Sequence, residues 1–103
     1  MTTAELDETS ELAGLWKDSY QGEVLGEELF RAMAERERVP ERRRQLEVLT
    51  VLERTTKELA EPVFARNGLD RGDSEATRAE AGKLAEAVAG MSWEQFLGSI
   101  PGA

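Results

Sequence analysis

From Leu12 onward, apolar or small residues recur at Leu15, Trp16, Ser19, Gly22, Gly26, Leu29, Phe30 and Met33, the three-and-four spacing of one helical face. The pattern predicts a first helix over about 10–36, starting at Thr9 or Ser10; before it, the acidic stretch "MTTAELDETS" reads as a tail or as a turn capped by Thr2 with Glu5 reaching back. The stretch "ERERVPERRR" breaks the periodicity. Val39 precedes a proline and is biased out of the helical region, while Pro40 suits the first position of a new helix, so a tight turn is expected here. The second helix, about 40–67, carries Leu46, Leu49, Leu52, Thr56, Leu59, Ala60, Val63 and Phe64 on one stripe and stops at Asn67-Gly68. Pro62 removes a backbone donor near its end and predicts a kink. After the loop "LDRGDSE", Asp73 or Ser74 caps a third helix over about 74–89, whose apolar face of Ala81, Leu84, Ala85 and Val88 is thin. In "SWEQFLGSI", Ser92 and Gln95 are spaced as a capping box for a short helix over about 92–100 that presents Trp93, Phe96, Leu97 and Ile100. The predicted fold is all-α: a long antiparallel helical hairpin plus two shorter helices in one domain, 1–103.

Length changes this picture by making a partner plausible. A domain of 103 residues buries only about two thirds of its unfolded surface, so a second subunit completing the core, a homodimer, is expected. Charge narrows the partners. Twenty-one acidic against 13 basic side chains give −8, which repels nucleic acid and anionic membrane surfaces and favours a cationic partner or a metal ion. With no run of eighteen apolar residues and no signal-peptide pattern, the expectation is a cytoplasmic protein. Cysteine and histidine are absent, which excludes disulfides, thiolate catalysis, zinc sites built on those residues and a histidine base. Any chemistry falls to carboxylates, Tyr20, hydroxyls and cations.

The carboxylates are not all where solvent would put them. At about 100° per residue, Glu23 falls within about 20° of Leu12 and Phe30, in the middle of the first apolar stripe. Glu27 lies one turn on, near the stripe's edge, and Glu53 is close to Leu46, Ala60 and Phe64 on the second helix. Glu23 precedes the centre of the turn by 15 residues and Glu53 follows it by 15, so in an antiparallel hairpin they are level. Two carboxylates brought together in apolar surroundings raise a pKa or call for a cation between them. Gly22 and Gly26 beside Glu23 cost helix propensity and suggest close helix approach or room for a ligand. The competing reading is structural: a solvated or arginine-paired Glu23 with glycines that serve packing.

The stretches "YQGEVLGEELF" and "LERTT" resemble the first hairpin of ferritin-like, carboxylate-bridged di-metal bundles, over about residues 12–67. There the first helix carries a glutamate in an aromatic and small-residue stripe and the second carries Glu-x-x-His, a place held here by Glu53 and Thr56 without the histidine. The resemblance implies a half-bundle, completed by a two-fold dimer, with Glu23, Glu53 and Glu27 as metal ligands in an oxygen-rich shell. Such a shell favours iron, Mn²⁺ or Mg²⁺ over zinc. It equally admits a shortened relative that kept the fold and lost the chemistry, or a piece of a longer bundle. The rival function is a non-catalytic acidic helical interaction protein, which engages a protein partner through its acidic surface and its C-terminal apolar helix. That helix otherwise serves as a lid on the hairpin. Tyr20 either hydrogen-bonds Glu23 or keeps its hydroxyl in water, and the arginines of "ERERVPERRR" solvate the turn or receive an anion.

Overall fold

The computed structural model describes residues 11–100, which form four helices with no strand among them: α1 (Glu11–Arg36), α2 (Pro40–Asn67), α3 (Ser74–Val88) and α4 (Trp93–Ser99). The proposed starts at Thr9 or Ser10 and the Thr2–Glu5 turn lie outside the described residues. The chain is all-α. None of the four helices is long and apolar enough to cross a membrane.

The turn between α1 and α2 is held by three contacts: the Glu37 amide donates to the Met33 carbonyl (3.0 Å), the Val39 amide to the Glu37 carboxylate (3.1 Å), and Arg43 Nε to the Glu37 carbonyl (2.9 Å). Val39 is extended and Pro40 opens α2, where its missing N–H costs nothing. At the other end Gly68 adopts the left-handed conformation (φ 60°), and the Gly68 and Leu69 amides both return to the Phe64 carbonyl. Asp73 caps α3 by accepting from the Ala76 amide (3.0 Å), and Ser92 and Gln95 close a full capping box on α4.

α1 is the central helix, packed on α2 along one side and on α3 along another. Its apolar contacts divide into two clusters. One, toward the start of α1, joins Ala13, Tyr20 and Val24 to Phe64 and Leu69, with Trp16 and Tyr20 both edge-on to Phe64 (6.0 and 5.1 Å). The other, toward the turn, joins Phe30 and Ala34 to Leu46 and to Phe96 of α4, so the C-terminal helix folds back as a lid on this end of the hairpin. Between the clusters lies a belt of ionisable side chains. Burying leucine- or phenylalanine-sized groups is worth about 1.5–3 kcal/mol each, so the clusters hold the hairpin and the belt is free to serve another end.

The apolar stripes are only half used. Leu46 and Phe64 are fully buried, whereas Leu12, Leu15, Leu52 and Leu59, on the stripes expected to form the core, are 48%, 65%, 56% and 74% exposed. Phe30 and Leu12 share an angular position on α1, and α4 covers only the Phe30 end of it.

Candidate functional site

The site begins with Glu53, whose carboxyl lies flat against α1 at Gly26. A Cβ at that position would stand 2.9 Å from Glu53 Cδ and 3.1 Å from Cγ, so glycine is what lets the side chain cross the helix. The level partner of Glu53 on α1 is thus Gly26, and its carboxyl reaches along the helix to hydrogen-bond the carboxyl of Glu23. Two carboxyls bond in this way only when one of them carries a proton. Glu53 is half-buried, and its pKa is pushed up to about 8, first by burial and then by the hydrogen bond and charge of Glu23. Gly22, by contrast, faces open space, so it serves no close approach.

Glu27, one turn further along α1, meets the opposite chemistry. Its two oxygens accept from Lys57 Nζ (2.9 Å) and Arg54 Nε (3.1 Å), both on α2. Burial pushes its carboxyl upward, but the hydrogen bonds and charges of Lys57 and Arg54 outweigh that and hold it below its ordinary value. The structure thus brings Glu23 and Glu53 together and commits Glu27 to two cations.

Tyr20 does not join Glu23. It is buried, and its hydroxyl donates to Glu61 (3.3 Å), which also accepts from Arg71 (3.1 Å); the Arg71 guanidinium lies 5.7 Å from the tyrosine ring. Sequence reasoning placed this hydroxyl in water or on Glu23 because the loop that supplies Arg71 has no periodic pattern to locate it. The same loop hides a second link. Gln21 donates to the Arg71 carbonyl and to Ser74 Oγ and accepts from Thr77, which docks the start of α3 onto α1. Gly72, at φ 92° and against Gln21, was the available signal.

Glu23 is also part of a surface. With Trp16, Ser19, Thr56 and Leu59 it lines a cleft of about 240 Å³ between α1 and α2, which runs into a shallow depression formed by Leu12, Leu15, Trp16 and Ser19. The carboxyl pair therefore stands at the border of an open apolar face. As metal donors the described residues offer little: no group of three or more acidic, histidine or cysteine side chains converges among them, so one chain presents two carboxyls, enough for part of one hard cation's shell and short of a two-metal centre.

Compared with known proteins, the chain matches no family model, no curated protein and no solved structure.

Proposed function

We propose that the protein is a non-catalytic helical interaction module, whose open α1–α2 face receives an amphipathic helix with cationic flanks. The observation that carries this reading is the exposed apolar surface of Leu12, Leu15 and Leu59 around the Glu23 cleft, with Leu52 exposed about two turns from Leu59 on α2. Apolar residues at helical spacing on two adjacent helices form the groove that an incoming helix fills with its own apolar stripe. Charge supports a cationic partner. Glu11 and Asp18 flank Leu15 on α1, both exposed and without an ion pair among the described residues, and the Glu23–Glu53 pair at pH 7 adds one more negative charge. On the α2 edge one cation, Arg66, opposes them, and the chain as a whole is −8. Sharing a proton lets two glutamates border an apolar docking surface at the cost of a single charge.

Two 18-residue probe helices with the same leucine stripe, one flanked by lysines and one by glutamates, test this against the isotopically labelled chain. The lysine-flanked helix is expected to shift the methyl signals of Leu15 and Leu59, and Leu59→Ser is expected to weaken binding at least tenfold. No shift with either helix, or equal binding by both, contradicts the reading. Concentration-dependent dimerisation that occupies the same methyls assigns the face to a second copy instead.

The carboxyl pair favours a second reading, a hard-cation site. Glu23 and Glu53 would hold Mn²⁺ or Fe²⁺ with two oxygens in place of the shared proton, and a second copy of the chain would supply further carboxylates, the arrangement the ferritin-like resemblance implies. Native mass spectrometry with added Mn²⁺ decides it: a dimer retaining ions that Glu53→Ala loses supports the cation site, and a metal-free species excludes it.

A further inference from the structure

A second cavity lies at the far end of the molecule, under α4. It encloses about 200 Å³ between the end of α1, the end of α3 and α4, with Met33, Ala85, Val88 and Phe96 as apolar walls and Trp93 beside its mouth. Its origin is the thin face of α3: alanines at 85 and 89 stand where larger side chains would close the gap between α3 and α4. The volume lies below the roughly 300 Å³ at which drug-sized ligand sites begin, so it admits one aromatic ring or a short alkyl chain and no nucleotide.

The mouth is cationic on an otherwise acidic protein. The turn segment 35–44 holds five arginines against three glutamates. Two of the charged groups at the mouth already have partners: Arg36 pairs with Glu86 (2.6 Å), and the Glu37 carboxylate accepts from the Val39 amide. Arg42 does not. Its guanidinium lies 5.5 Å from the centre of the Trp93 ring, without a carboxylate partner among the described residues. A guanidinium fixed on an aromatic face keeps its five N–H donors, and its planar fork matches a carboxylate.

We propose that this cavity binds a small organic anion with an apolar body, an aryl or short alkyl carboxylate, with the body among Met33, Val88 and Phe96 and the carboxylate on Arg42. The arginine-rich turn then has a purpose beyond solvation, and α4 is the wall that completes a site as well as a lid on the core.

The test uses the full chain carrying Trp16→Phe, so that Trp93 is the single tryptophan, titrated with phenylacetate and with its neutral analogue phenylacetamide. Phenylacetate is expected to shift Trp93 fluorescence and the Val88 methyl signals saturably, and to bind at least tenfold more tightly than the amide. Arg42→Gln, at a partly exposed position that leaves the core intact, is expected to erase that preference while amide binding persists. Ala85→Leu is expected to fill the cavity and abolish both. The proposal is overturned if the Val88 methyls do not respond to phenylacetate, if Arg42→Gln leaves the preference unchanged, or if the response maps to residues away from α4.

Discussion

Glu23 and Glu27 stand one turn apart on the same helix and both meet α2, yet one is joined to a carboxyl and the other to two cations. Helix position alone does not separate them, since both fall near the apolar stripe of α1. What separates them is the neighbour that α2 sends across. Glu53 folds over Gly26 to reach Glu23, while Arg54 and Lys57, also on α2, converge on Glu27. The lesson is that a carboxylate at an interior position is defined by its partner: Glu27 is a structural ion pair, and Glu23–Glu53 holds a proton that another cation or a docking surface can exploit.

The largest expected effect comes from making the two sites alike. Lys57→Glu puts an acid beside Glu27 and leaves a half-buried charge opposed, which should cost about 2–3 kcal/mol in urea unfolding at pH 7. The next sharpens the contrast through pH. The Glu53 carboxyl rises from 4.5 to about 8 on folding, so between these values the folded chain holds a proton that the unfolded chain has released. Stability therefore falls as pH rises through that window. After allowance for solvent at a half-exposed group, the loss should be about 1–2 kcal/mol, and Glu53→Gln, whose amide donates to Glu23 permanently, should remove it. For Glu27 the sign reverses: its lowered pKa contributes stability that is lost only as pH falls below the ordinary value of 4.5. Glu27→Gln should therefore weaken the acid-side loss and leave the slope above pH 5 unchanged.

A smaller effect should follow from Gly26→Ala. The added Cβ meets the movable end of Glu53, so the carboxyl swings away, the pair separates and the Glu53 midpoint returns toward 4.5. The gain in helix propensity, about 1 kcal/mol, offsets what is lost, so thermal stability should change little while the titration changes greatly. Gly22→Ala is the control. It faces open space and should add about 0.5–1 kcal/mol without moving the Glu53 midpoint.

Much of the frame was legible in the residues. Pro40, the Asn67-Gly68 stop, the Asp73 cap and the Ser92/Gln95 box are local signals, and the four helices lie within one residue of the bounds they mark. The approach of Glu23 and Glu53 was also legible, because antiparallel helices about one turn make residues level by counting alone. The same count missed a register offset of three residues, since Glu53 stands opposite Gly26 and spans the difference with its own length. Which part of each stripe is buried was not legible: Leu46 and Leu59 were read on one broad stripe, yet they lie about 140° apart around α2, and the side that packs is the one Leu46 shares with Phe64. Nor was the end of Tyr20's hydroxyl: Glu61 reaches it from α2 beside the predicted stripe, and Arg71 comes from a loop that periodicity does not order.

The most direct measurement of the central claim, that the α1–α2 hairpin stores a proton between Glu23 and Glu53 beside its open face, is a carboxyl carbon-13 NMR titration of the labelled chain from pH 3 to pH 10. The structure predicts a Glu53 midpoint near 8 and a Glu27 midpoint below its ordinary value. Glu53 titrating near 4.5 would contradict it, and would leave the pair as two solvated neighbours with no proton to share.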